Sequence, residues 1–241
     1  MKTVRLRPAV SLVLRAQRMS ENGVKRNEKN NSSRVQPDHF LAIKLAHQES
    51  LKTAVVQVQE TFVAKAPHLK HALIDPESIH ITLAVLKLGS DEVAKQMASD
   101  RLKEAVLALK SVLSDKQGLV LDFQSLETFR QKVLYVSPTE DSTEILKKIA
   151  ETLIPCFEEY LIEKDGKSAL KRFKPHMTVA KCSQLKGRAR WETVIEESLY
   201  ESHIDMSVEG IEVNEIQLCA MQGRIPGNYY PVLAAHSIQD L

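Results

Sequence analysis

His80-Ile81-Thr82-Leu83-Ala84-Val85-Leu86 and His176-Met177-Thr178-Val179-Ala180 share one formula: histidine, apolar, threonine, apolar, alanine. On a β-strand alternate side chains share a face. His, Thr and Ala therefore point one way, and Ile81/Leu83 or Met177/Val179 the other. Each segment buries its apolar residues behind it and presents one imidazole and one hydroxyl in front. Two such units together can form a symmetric site for acid–base chemistry. The competing reading is two unrelated strands, each with an edge histidine bonded to its neighbours. It loses ground because the match extends over five positions.

Around these segments, strand and helix patterns are mixed. His39–Leu45 reads as a strand, and apolar Leu51, Val55, Val58, Phe62 and Val63 predict a helix over 49–65. Ser90-Asp91-Glu92 reads as a helix start, with a capping hydroxyl followed by acids that suit the positive helix terminus. That helix is expected to run to about 114, with Val93, Met97, Leu102, Val106, Leu109 and Leu113 inside. Strands at 119–124 and 133–136 flank a polar connection, Glu127 to Lys132. A helix over 142–163, bent at Pro155, precedes the second His/Thr strand. A helical stretch near 190–200 and strands at 211–221 and 230–237 complete the pattern. Strand–helix–strand material presented twice predicts an α+β fold, with antiparallel sheets related by internal duplication and flanking helices.

Composition narrows the class. With 241 residues, 43% apolar and 27% charged, the chain has length for a real core. No apolar run approaches the ~20 residues of a transmembrane helix, so no membrane is expected. Cys156, Cys182 and Cys219 match no zinc spacing and read as reduced thiols, which suits the cytoplasm or nucleus. Residues 1–38 hold nine Lys/Arg against three Asp/Glu, so the net charge of +2 leaves the rest of the chain at −4. A body of that balance is not a general nucleic-acid platform. Residues 1–37 read as a basic leader of disordered composition. Its first 20 residues resemble a mitochondrial transit peptide, interrupted by Pro8. The domain proper is expected over 38–241, as a monomer.

Two imidazoles facing one cleft meet the needs of displacement at a phosphodiester. One neutral ring takes the proton of the attacking oxygen, and one protonated ring gives a proton to the leaving oxygen. Thr82 and Thr178 can donate to the non-bridging oxygens as charge develops. Carboxylate clusters that hold Mg²⁺ or Mn²⁺ are absent beside either motif, so no cofactor or metal is expected. His68 and His71, three apart beside Pro67, lack a third ligand and read as a surface pair. Residues 171–190 carry seven basic residues and no acid, which suits an anionic substrate. Arg172 and Lys174, closest to His176, are the substrate-binding candidates.

Arg172-Phe173-Lys174-Pro175-His176-Met177-Thr178-Val179-Ala180-Lys181 resembles the second motif of the two-histidine (2H) phosphoesterases, which include the 2′-5′ RNA ligase-like proteins. Thr128–Val136 resembles the segment joining two central strands in that fold. Phe40-Leu41-Ala42-Ile43, Phe173–His176, Leu218–Met221 and Asn228-Tyr229-Tyr230 are most similar to the phosphoesterase domain of A-kinase anchoring proteins. The resemblance covers about 38–237. It implies a bilobal structure with a central cleft, acting without metal on 2′,5′-linked oligonucleotides or 2′,3′-cyclic phosphates. His80 and His176 map onto its catalytic pair and Thr82 and Thr178 onto its phosphate-binding hydroxyls, while Phe129 and Tyr229 are candidates to pack against a base. The alternative from a different class is a non-catalytic module binding an AMP-like nucleotide or an RNA end. The anchoring proteins dock kinase regulatory subunits through a C-terminal amphipathic helix. This sequence stops at Leu241 just after its last strand, so that partner is not expected.

Overall fold

The computed structural model describes residues 35–113, 119–162 and 168–238. The basic leader therefore lies, but for its last residues, outside the described part. Eight strands form the body: β1 His39–Lys44, β2 His80–Leu86, β3 Leu119–Phe129, β4 Val133–Pro138, β5 Met177–Lys181, β6 Ser207–Val213, β7 Glu215–Ala220 and β8 Val232–Ser237. All pairings are antiparallel, in the order β6-β3-β4-β5-β2-β1-β7-β8. Helices α1 Glu49–Lys65, α2 Glu92–Leu113 and α3 Glu140–Leu153 cover the strands, and α4 Ala169–Arg172 and α5 Ala189–Glu192 are single turns.

The two sheets expected from the duplicated pattern are present as halves of one. Four strands, β6-β3-β4-β5, meet four others, β2-β1-β7-β8, at the single pair Ile81↔Met177. Both strands at that seam are the His/Thr strands. The chain crosses between halves a second time at Asn214, the one residue between β6 and β7. Yet β6 is an edge strand of its half, and β7 lies inside the other half beside β1. A link that short is possible only if the far edges of the halves come back toward each other, so the sheet folds over its own seam. The stretch expected as one strand over 211–221 is thus two strands belonging to different halves.

Other differences have local causes. Glu127, Thr128 and Phe129 belong to β3 rather than to a connection. The turn itself is two residues, Arg130 (φ 51°) and Gln131 (φ 54°), with the Lys132 N–H donating to the Phe129 carbonyl at 2.9 Å. Two successive positive φ angles make the tight hairpin turn whose twist matches the strands. Without Gly or Asn the sequence carries no sign of it. On α2 the inner stripe is Ala98, Leu102, Ala105, Val106, Leu109 and Leu113, while Val93 and Met97 are exposed. Met97 lies about 100° round the helix from Ala98, so small alanines occupy the buried face instead. The helix expected near 190–200 reduces to α5 and two 3-10 turns. The helix expected over 142–163 is α3, followed from Ile154 by a 3-10 segment that carries Pro155.

α1 matters most for the site. Its Leu51, Val55, Val58 and Phe62 are buried, each apolar side chain contributing about 1.5–3 kcal/mol. Gln59 is buried among them, and its Nε2 donates to the Ile74 carbonyl (2.6 Å) and the Val179 carbonyl (3.1 Å). That ties α1 to the strand bearing Thr178.

Candidate active site

The pair Ile81↔Met177 is flanked on each side by a histidine and a threonine. Extended one residue each way, the antiparallel register sets His80 opposite Thr178 and Thr82 opposite His176. A local twofold axis therefore passes through the seam. The four side chains line one cleft of about 330 Å³, together with Phe40, Ile74, Ser78, Val85, Val133, Lys181, Met221 and Tyr230.

The two histidines are held alike. His80 Nδ1 lies 2.6 Å from the Ser78 carbonyl and His176 Nδ1 2.7 Å from the Lys174 carbonyl, each two residues back. A carbonyl only accepts, so both Nδ1 atoms carry the proton and both Nε2 atoms are left as acceptors. His80 Nε2 is 3.1 Å from the Thr82 hydroxyl, which donates to it. Burial, opposed by the Ser78 carbonyl and helped by the charges of Lys181 and His176, pushes His80 down to about 4. Burial, with Lys181 and Lys174 acting in the same sense, also lowers His176. Both rings are thus neutral at rest, the state required of a general base.

Aromatic rings fix both imidazoles. Phe40 lies 5.0 Å from the His80 ring, and Tyr230 meets it edge-on at 5.6 Å. On the other side Phe129 meets His176 edge-on at 4.8 Å and stacks on Tyr135 at 4.1 Å, with Tyr135 at 5.4 Å from His176. Tyr135 donates to Glu127 at 2.8 Å and accepts from Lys174 Nζ at 2.8 Å, and Ser137 also donates to Glu127.

This arrangement sorts the sequence candidates. His80, Thr82, His176 and Thr178 come together as the formula required. Lys174 is turned onto Tyr135 and Glu127, with its ammonium over the Phe129 ring at 4.9 Å. Arg172 reaches back to the Ile162 carbonyl at 2.8 Å and does not line the cleft. Phe129 holds His176 from behind rather than facing the cleft. Tyr229 packs behind His80 at 6.2 Å, with its hydroxyl buried, and its neighbour Tyr230 takes the place on the wall. Alternation by two could not decide between Tyr229 and Tyr230, because the 223–231 stretch is irregular.

Lys181 is the site residue that alternation misses. Strict alternation from Thr178 would point Ala180 into the cleft and Lys181 away. Instead β5 carries a bulge: Tyr135 pairs with Thr178 and Leu134 with Ala180, leaving Val179 unpaired. The extra residue shifts the phase and turns Lys181 inward. The freed Val179 carbonyl accepts from the Ile74 N–H (2.9 Å) and from Gln59. β2 has the same bulge, with Ala42 pairing Thr82 and Leu41 pairing Ala84, so Val85 turns inward. Position for position, Ser78, His80, Thr82 and Val85 correspond to Lys174, His176, Thr178 and Lys181.

Known proteins share this sequence and this fold. The model of the AKAP7 2′5′ RNA ligase-like domain matches residues 37–238. Human A-kinase anchor protein 7 isoform gamma is 32% identical over 199 residues, covering 81% of this chain and 55% of that protein. This chain thus spans about half the length of that relative. Among solved structures, E. coli LigT complexed with 3′-AMP is 18% identical with a TM-score of 0.48, covering 84% of this chain and 98% of that one. The TT0787 protein of Thermus thermophilus is 20% identical with a TM-score of 0.47 and the same coverages. A cleft built of two His-x-Thr strands defines a protein of the two-histidine phosphoesterase class. Within that class the chain belongs to the AKAP7 2′5′ RNA ligase-like domain family.

Proposed function

We propose that this protein is a metal-independent phosphodiesterase acting on 2′,5′-linked oligonucleotides or 2′,3′-cyclic phosphates. The observation that carries the reading is the matched presentation of two imidazole Nε2 atoms into one cleft, each with its Nδ1–H held by a backbone carbonyl. With a 2′,5′ linkage, the free 3′-oxygen attacks phosphorus while one neutral histidine takes its proton. The 5′-oxygen leaves with a proton from the other histidine, and a 2′,3′-cyclic phosphate results. Water then opens the ring with the two roles exchanged. Thr82 and Thr178 donate to the non-bridging oxygens as their charge rises. The acid must be charged, and both rings are neutral at rest. An arriving phosphate anion supplies the missing term, because a nearby negative charge favours the imidazolium.

The cleft volume of about 330 Å³ sits at the small end for ligand sites. It suits one nucleotide and its phosphate, with the rest of an oligonucleotide outside. The reading includes a cytoplasmic or nuclear setting, which fits the three unpaired thiols. The test is turnover in EDTA of a 2′,5′-triadenylate, its 3′,5′ isomer and a 2′,3′-cyclic nucleotide. Wild type is expected to cleave a 2′-linked or cyclic substrate and spare the 3′,5′ isomer. The neutral resting state of both histidines also favours a second reading, a cleft that binds an AMP-like nucleotide without turning it over. AMP binding with no cleavage of any of the three would establish it instead.

A further inference from the structure

The local twofold symmetry of the cleft is broken at one pair of equivalent positions: Val85 in one half, Lys181 in the other. Lys181 sits on the cleft wall among His80, Thr82, His176, Thr178 and Tyr230. It is mostly buried, and burial lowers its pKa with no opposing contribution. Among the described residues no carboxylate forms an ion pair with it. The contrast with Lys174, seven residues earlier, is direct. There Glu127 and Tyr135 compensate the ammonium, and its pKa is raised.

A desolvated cation without a counter-ion is costly, and proteins keep such charges where a ligand supplies the partner. Here the cost is imposed by the backbone, since only the bulge at Val179 turns Lys181 inward. The bulge is in turn held by two hydrogen bonds to the Val179 carbonyl. The charge also reaches both imidazoles and pushes each toward the neutral form. A resting cleft with one uncompensated cation and two neutral bases is complementary to a single negative charge.

We propose that Lys181 is a phosphate-binding residue, its ammonium pairing with a non-bridging oxygen of the phosphate held between His80 and His176. Val85 leaves the opposite wall uncharged, so the anion has one side of the cleft to lean on. The proposal deepens the phosphodiesterase reading by naming the group that seats the phosphate. It requires only that the cleft binds a phosphate, whether or not it turns one over.

The experiment is calorimetry with inorganic phosphate and with AMP, on wild type, Lys181→Met and Lys181→Arg, beside histidine titration by NMR on the same samples. Lys181→Met is expected to weaken phosphate binding at least tenfold, and Lys181→Arg to stay within about threefold of wild type. Both imidazoles are expected to titrate at higher pH in Lys181→Met and unchanged in Lys181→Arg. Because an unpaired buried charge is removed, Lys181→Met is expected to melt no lower than wild type. As a check that needs no variant, saturating phosphate is expected to protect Lys181 of the wild type from acetylation, mapped by mass spectrometry. Undiminished phosphate affinity in Lys181→Met, equal acetylation with and without phosphate, or no phosphate binding by wild type would each overturn the proposal. Binding that depends on Lys181 without any turnover would remove the enzyme reading and leave this one. Turnover with binding indifferent to Lys181 would do the reverse.

Discussion

His80 and His176 occupy equivalent places in two equivalent half-sites, yet the halves hold them differently. His80 lies between Phe40 and Tyr230, beside an apolar Val85, with its polar contacts confined to the Ser78 carbonyl and the Thr82 hydroxyl. His176 leans on Phe129 and Tyr135, behind which Lys174, Glu127 and Ser137 form a bonded network, and Lys181 stands beside it in the cleft. One half is an aromatic cage and the other an electrostatic one. The backbone duplication makes the two rings interchangeable in position, and the side chains around them make them unequal in proton affinity. His80, carried down to about 4, is the ring held most firmly neutral at rest. His176 is the ring that an arriving anion protonates first.

The comparison is broken most completely by removing either ring. His80→Ala and His176→Ala are each expected to lower kcat by about 10²–10⁴-fold, the contribution of a positioned acid or base. Steady-state turnover of a 2′-linked or cyclic substrate measures it, and full activity in either variant would mean that the duplicated strands are not the catalytic unit. Next in size are the hydroxyls. Thr82→Val and Thr178→Val keep the shape and remove a donor, and each is expected to cost about 10–10²-fold in kcat with KM changed less. Equal losses would show that both half-sites grip the phosphate. A loss confined to Thr178 would place the anion wholly in the Lys181 half.

A third variant separates the two bulges. Gln59→Leu leaves the Ile74 and Val179 carbonyls short of a partner and is expected to destabilise the fold by about 1–3 kcal/mol, read from denaturant midpoints. Activity per folded molecule should also fall, because the β5 bulge that turns Lys181 inward loosens while the β2 bulge is untouched. The smallest effect sharpens the ranking of the histidines. His80 takes its proton at about 4 in the folded protein and near 6.5 when unfolded. The unfolded chain therefore binds the extra proton first as pH falls. Stability attributable to this group is present above 6.5 and is lost on the way down to 4. Between pH 7 and 5 the loss is expected to be on the order of 1–2 kcal/mol in wild type and absent in His80→Gln. Urea midpoints at the two pH values give the answer, and an equal pH response in both proteins would mean that His80 is not held neutral.

Much of the frame was legible because it rests on periodicity. β1, α1 and β2 begin within a residue of where the apolar pattern starts them, and the break of α3 follows from Pro155. The catalytic quartet was legible for the same reason: His-x-Thr on a strand needs only the period of two. The misreadings fall where periodicity fails. Arg130 and Gln131 form a positive-φ turn in residues that carry no glycine signature. Asn214 divides one apolar run between two halves of the sheet. Val93 and Met97 match a helical stripe in composition but sit off its buried face. Lys174 and Arg172 were the basic residues nearest His176 along the chain, but nearness in sequence does not set direction. Tyr135, Glu127 and the Ile162 carbonyl draw them away from the cleft.

The sequence by itself determined that two strands would each offer an imidazole and a hydroxyl on one face, because alternation along a strand is a property of the covalent backbone. It also determined that those strands would be buried behind, through Ile81, Leu83, Met177 and Val179. Only the tertiary structure decided that the two strands meet at Ile81 and Met177, which cross-pairs each histidine with the other strand's threonine. It also decided that a bulge in each strand advances the phase by one residue. That single step exchanges Ala180 for Lys181 on the cleft wall and Ala84 for Val85. A bulge is stable only when something satisfies the carbonyl it frees. Here that is an amide from Ile74 and a glutamine from α1, 120 residues away along the chain, a contact that no local pattern encodes.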